Sequence, residues 1–150
     1  MAATPAIRHI SRQAVLAALA LLLSSACALA SPIGDLEDGL WLNPGGSVAV
    51  RTHGCGDRLC GWIVWASAAA QSDARESGVA HLIGTQLLED YRPDGRNEWT
   101  GTVYVPDMGR RFFSRIEQTA PQQLKIKGCV LGGLICRSQL WTRIERTPGA

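Results

Sequence analysis

The rhythm of its turn formers constrains this chain most. Asn43-Pro44-Gly45-Gly46, Gly56-Asp57, Pro93-Asp94-Gly95, Pro106-Asp107-Met108-Gly109, Ala120-Pro121 and Gly132-Gly133 divide the sequence into short runs that alternate or are continuously apolar. Proline presets one turn dihedral and glycine supplies positive φ, so each cluster reverses the chain sharply. Runs of that kind are strands, and strands joined so briefly are antiparallel neighbours. They fall at about Gly39–Leu42, Ser47–His53, Leu59–Ala66, Val79–Glu89, Asn97–Val105, Arg111–Gln118, Gln123–Val130 and Leu134–Glu145. The spacing is that of an all-β sandwich or barrel of about eight strands. The small and polar stretch Ser67–Gly78 is either a loop over one end or a brief helix.

The beginning of the chain has a different logic. Arg8 and Arg12 precede an apolar run, Ala14–Leu23, and Ala28-Leu29-Ala30 supplies a small-x-small cleavage pattern. Residues 1–30 are expected to be a signal peptide and 31–150 the mature domain, periplasmic or secreted. Ser24 and Ser25 interrupt the run before the ~20 apolar residues that a membrane-spanning helix needs, so no transmembrane segment is expected in the mature chain. A lipoprotein anchored at Cys27 is the minor alternative, because Ser24 stands where a large aliphatic residue is normal three positions before a lipidated cysteine.

Without Arg8 and Arg12, the 15 Lys and Arg become 13 against 13 Asp and Glu. A nucleic-acid binder needs a basic surplus to displace counterions, so nucleic acid is not an expected partner. Removing Cys27 leaves Cys55, Cys60, Cys129 and Cys136, an even set in a chain bound for an oxidising compartment, where disulfides are the default. A two-residue turn at Gly132-Gly133 would place Val130 against Ile135 and Cys129 against Cys136. The same count around Asp57-Arg58 puts Gly56 against Leu59 and Cys55 against Cys60. Local pairing, Cys55 with Cys60 and Cys129 with Cys136, is the economical choice among three connectivities.

The last hairpin also sorts its faces. Leu124, Ile126, Gly128 and Val130 share a side with Ile135, Arg137, Gln139, Trp141 and Arg143, because side chains alternate along each strand. That side is the better candidate for the interior, so Arg137 and Gln139 are expected to point inward. An inward arginine requires a partner or a ligand.

Gly39-Leu40-Trp41, the run Cys55-Gly56-Asp57-Arg58-Leu59-Cys60-Gly61-Trp62-Ile63-Val64-Trp65, and the closing block from Gly128 to Arg143 resemble a family of exported bacterial proteins catalogued as domain of unknown function 2147. The resemblance implies a lipocalin-like, antiparallel up-and-down β-barrel in the periplasm. Gly39-x-Trp41 is similar to the lipocalin opening motif, in which the tryptophan plugs the barrel bottom and a basic residue of the last strand covers it. Arg143 holds that place here. A guanidinium over an indole contributes ~0.5 to 2 kcal/mol.

His53 and His81 read as ordinary strand residues, Cys55-x4-Cys60 does not have metal-knuckle spacing, and no nucleophile elbow, P-loop or zincin motif occurs. No catalytic residue, metal or cofactor is therefore expected. A barrel of about eight strands is either filled or holds one small ligand. Non-catalytic binding of a small, partly apolar or amphipathic molecule is the leading expectation. Its walls would come from Trp62, Trp65, Trp99, Tyr104 and Phe113, with polar orientation from Arg137 and Gln139. The rival is an envelope structural or protein-interaction module with a filled barrel, and an enzyme ranks third.

Overall fold

The computed structural model describes Leu36, residues 38–131 and residues 134–150. The export segment, Cys27 and the Gly132-Gly133 turn lie outside these residues. Eight strands close into an up-and-down barrel in chain order: β1 (Leu40–Leu42), β2 (Val48–Gly54), β3 (Leu59–Ala66), β4 (Gln86–Pro93), β5 (Glu98–Val105), β6 (Arg110–Ala120), β7 (Gln123–Val130) and β8 (Ile135–Arg143). Every neighbouring pair is antiparallel, and β1 closes the barrel on β8.

Most boundaries agree with the turn signals. The exception is the segment 79–85, expected as the start of a strand. It is a loop, with Gly84 at φ +90°, and β4 begins only at Gln86. The stretch before it contains a helix, α1 (Ala68–Glu76), whose N-terminus is capped by the Ser67 hydroxyl accepting the Ala70 N–H at 3.2 Å. Ser at the N-cap followed by alanines is a good helix start, and only Ala74 of α1 is buried.

Turns of β1–β2, β5–β6 and β7–β8 lie at the same end of the barrel as α1, as the up-and-down order requires. The opposite end is packed. Trp41, Leu36, Leu59, Tyr91 and Trp99 are fully buried there with Leu88, Ile116 and Leu124. Thr52, also fully buried, accepts the Trp41 Nε1–H at 3.2 Å and donates its hydroxyl proton to the Leu36 carbonyl. The Gly39-x-Trp41 spacing has a steric cause: a Cβ on Gly39 would collide with the edge of the Trp41 indole. Gly101 is equally constrained, since its Cβ would meet the Tyr91 ring at 2.7 Å and the Glu89 carbonyl at 2.8 Å. Behind that close approach the Tyr91 hydroxyl hydrogen-bonds Ser114 inside the barrel.

Both cysteine pairs are bridged, with Cα separations of 5.9 Å for Cys55–Cys60 and 4.1 Å for Cys129–Cys136. Around Gly132-Gly133 the expected register holds, with Cys129 opposite Cys136 and Val130 opposite Ile135. Around Asp57-Arg58 it does not: Gly54 faces Leu59 and His53 faces Cys60. A two-residue hairpin turn needs positive φ at its first centre or at both, which Asp57 and Arg58 adopt at a cost. The chain instead reverses over Cys55–Arg58, with Gly56 at φ +75° and the Cys55 N–H donated to the Arg58 carbonyl at 2.8 Å. The bridge therefore spans the loop rather than a facing pair.

Candidate functional site: the cavity beneath the helix

At the α1 end the interior is not filled. A cavity of about 320 Å³ is walled by Val48, Ile63, Ala74, Leu82, Leu87, Val103, Ile126 and Trp141. Polar groups on it come from Asn43 and Ser47 of the β1–β2 turn, Asp73 of α1, Asp107 and Gln139. Alternation explains the wall: Val103 projects from the same sheet face as Trp99 further along β5, and Ile126 from the same face as Leu124 further along β7, both away from the packed end. α1 covers the opening because its short Ala side chains let it approach, and it touches the 3-10 turn Pro106–Met108 that carries Asp107.

Several polar groups are already engaged. Asn43 Oδ1 accepts the N–H groups of Ser47 and Val48 at 2.8 and 3.0 Å, so it builds the turn. Gln139 Oε1 accepts the Trp141 Nε1–H at 3.1 Å, which leaves its amide N–H groups toward solvent or a ligand.

Among the expected wall residues, Tyr104 and Gln139 line this cavity. Tyr104 also stacks under the Arg111 guanidinium, 4.8 Å from the ring centre. Arg111 donates in turn to both Glu89 carboxylate oxygens at 3.0 and 2.9 Å, which holds its pKa above the ordinary arginine value. The other expected residues are placed differently. Trp62 is opposite Arg51, its ring 6.1 Å from that of His53, on the face away from Ile63. Trp65 is half-buried opposite Ala49, outside the cavity lining. Trp99 is fully buried in the packed end, where its Nε1–H finds no acceptor among the described residues. Phe113 is 61 % exposed on the outer face, because Ser114 and Ile116 take the inward positions of β6.

Arg137 corrects the inward-arginine expectation. It shares the inward face with Gln139, opposite Gly128, yet it is exposed and does not line the cavity. Its part of β8 stands beyond the point where β1 ends, so no wall encloses it. At the packed end Arg143 does lie over Trp41, 5.4 Å from the ring, paired with it across β8 and β1.

His53 is paired with Asp38 at 2.7 Å, and His81 is in the loop before β4 rather than in a strand. Among the described residues no group of three or more His, Cys, Asp or Glu is placed to hold a metal. Of the cavity wall, the sequence pointed to Tyr104 and Gln139 and, through alternation in the last hairpin, to Ile126 and Trp141. The other aliphatic members carried no chemical signal, and the Ser67 cap alone pointed to α1.

A family profile described as "Uncharacterized protein conserved in bacteria (DUF2147)" matches residues 39–143. The chain belongs to that family. The match opens at Gly39, beside the Trp41 plug, and ends at Arg143, which covers it, so the DUF2147 segment is the closed barrel. A solved structure with the same fold is protein HP1028 of the human pathogen Helicobacter pylori, described as belonging to the lipocalin family. It is 13% identical with a TM-score of 0.56, the similarity covering 71% of this chain and 82% of that one. No curated protein sequence matches. The DUF2147 barrel of this chain is thus lipocalin-like in fold.

Proposed function

We propose that the protein is an exported, non-catalytic barrel that binds one small, partly apolar molecule beneath α1. The cavity of about 320 Å³, apolar within and polar at its opening, carries this reading. Small-molecule sites have this size and composition. Export is supported by the signal-like residues 1–30 and by the two disulfides, which belong to oxidising compartments. Processing after Ala30 leaves 31–150 as the functional unit, in the periplasm or outside the cell.

The test uses the neutral probe N-phenyl-1-naphthylamine, whose fluorescence rises in apolar surroundings. Saturable binding at one site per chain is expected. Val103→Phe, which fills the cavity from its wall, weakens that binding at least tenfold while leaving the circular dichroism unchanged. Equal binding by Val103→Phe refutes the cavity as the site. A second reading, a protein-interaction module, is favoured by exposed apolar residues Met108, Phe113, Leu131, Leu134, Ile135 and Leu140 around two neighbouring hairpins.

A further inference from the structure

β6 and β7 separate toward the α1 end of the barrel. Their ladder runs from Ala120–Gln123 to Ser114–Gly128 and stops there. β6 continues to Arg110 against β5, and β7 continues to Val130 against β8, so the β5–β6 and β7–β8 hairpins diverge. The cleft between them, about 580 Å³, is lined by Met108, Arg110, Phe112, Phe113, Val130 and Leu131.

Apolar side chains crowd the ends of both hairpins. Leu134 is 85 % exposed, Leu131 70 % and Met108 56 %, with Phe113 and Ile135 exposed beside them. Large apolar groups held together at a surface mark a place of interaction.

Cations accompany these ends. Arg110 is two positions after Met108, Arg137 three after Leu134, and Lys127 four before Leu131. All three are exposed, and among the described residues none of them has an ion pair. Arg111 is different, since Glu89 neutralises it. Asp107 turns the other way: it lines the cavity under α1, whereas Met108 beside it lines the cleft. Residues 31–150 carry 13 basic and 13 acidic side chains, so the uncompensated cations at these ends are a local surplus.

The spacing of apolar and basic residues matches the layers of a bilayer surface. Three strand residues at ~3.3 Å each, tilted by ~40°, put Arg137 about 8 Å from Leu134 along the barrel axis. Interfacial segments bury their apolar side chains by about 5–10 Å. With Leu134 at that depth, Arg137 is level with the headgroups.

We propose that the two hairpin ends dock on an anionic phospholipid bilayer, with Met108, Leu131 and Leu134 among the acyl chains and Arg110, Lys127 and Arg137 on the headgroup phosphates. Charge complementarity selects the anionic surface. The cleft favours lipid over a folded protein, because fluid chains fill the gap between two diverging ends without a matching shape. The α1 side of the mouth, which carries Asp73 and Asp107, faces away from the phosphates. Docking in this way brings the mouth of the cavity to the edge of the bilayer, and it does not depend on the cavity being occupied.

The experiment is co-sedimentation with sucrose-loaded vesicles, either equal parts phosphatidylglycerol and phosphatidylcholine or phosphatidylcholine alone. The protein is expressed from its full sequence and purified in its processed form, confirmed by intact mass. Binding to the mixed vesicles at 0.1 M NaCl is expected, and at least tenfold weaker binding to phosphatidylcholine alone. At 1 M NaCl, where the screening length falls from ~10 to ~3 Å, binding to the mixed vesicles should also drop at least tenfold. Met108→Ser combined with Leu134→Ser removes two exposed side chains and is expected to weaken binding at least tenfold with unchanged circular dichroism. If that variant does not fold, Arg110→Gln combined with Arg137→Gln decides, with an expected loss of about fivefold for each arginine. No binding to the mixed vesicles, equal binding to both compositions, or binding that survives the substitutions would each overturn the proposal. Self-association of the protein without vesicle binding would overturn it too, and would make the hairpin ends a protein interface.

Discussion

Tyr91→Phe isolates a strongly perturbed ionisable group of the barrel interior. Tyr91 is fully buried against Gly101, and burial pushes its phenol far above the ordinary value near 10, with the Ser114 hydrogen bond pulling the other way and the Glu89 carboxylate adding to the rise. Below pH 10 the phenol is protonated in the folded and unfolded chains alike, and it contributes no pH dependence. Above pH 10 only the unfolded chain releases the proton, so stability fully present below that pH is lost as pH rises toward the folded-state pKa. The loss is about 1.4 kcal/mol per pH unit for one proton. Replacing the residue by Phe also leaves the buried Ser114 hydroxyl without this partner, a cost of about 1 to 3 kcal/mol. At pH 8 the variant is therefore less stable by that amount, and by pH 11 the gap narrows by about 1.4 kcal/mol, since Phe has no proton to release. Urea midpoints followed by tryptophan fluorescence from pH 8 to 11 measure both quantities. A gap that stays constant over this range would show that Tyr91 ionises as readily folded as unfolded, and the account of a dry, closed barrel end would be wrong.

Arg143→Ala removes the guanidinium over Trp41 and is expected to lower stability by about 0.5 to 2 kcal/mol, read as a lower urea midpoint, with probe binding in the cavity unchanged. Replacing Cys129 and Cys136 together by Ala opens a bridge of sequence separation 7 and is expected to cost about 2 kcal/mol, while Cys55–Cys60 still forms, as peptide mapping under non-reducing conditions should show. Intact mass of the exported protein should begin at Ser31; a diacylated terminus at Cys27 would instead indicate a membrane-anchored lipoprotein.

The sequence by itself determined what depends on local periodicity. Turn clusters at 43–46, 93–95, 106–109 and 120–121 punctuate the strands where glycine and proline dictate, and Gly132-Gly133 put Cys129 opposite Cys136. Alternation then sorted Leu124, Ile126 and Trp141 inward, which burial bears out. Around Asp57-Arg58 the same count failed because a nearby glycine offered a cheaper reversal than a non-glycine residue at positive φ. What tertiary structure alone decided is where the wall stops. Parity assigns Arg137 and Gln139 to one face, but only the end of β1 at the Asn43 turn leaves Arg137 outside the enclosure and Gln139 on its rim. Likewise, five tryptophans are equally apolar in the sequence, yet Trp41 and Trp99 are packed at one end, Trp141 lines the cavity, and Trp62 lies away from it. Periodicity fixes direction relative to a strand; enclosure depends on which distant strand lies alongside, and no local pattern carries that information.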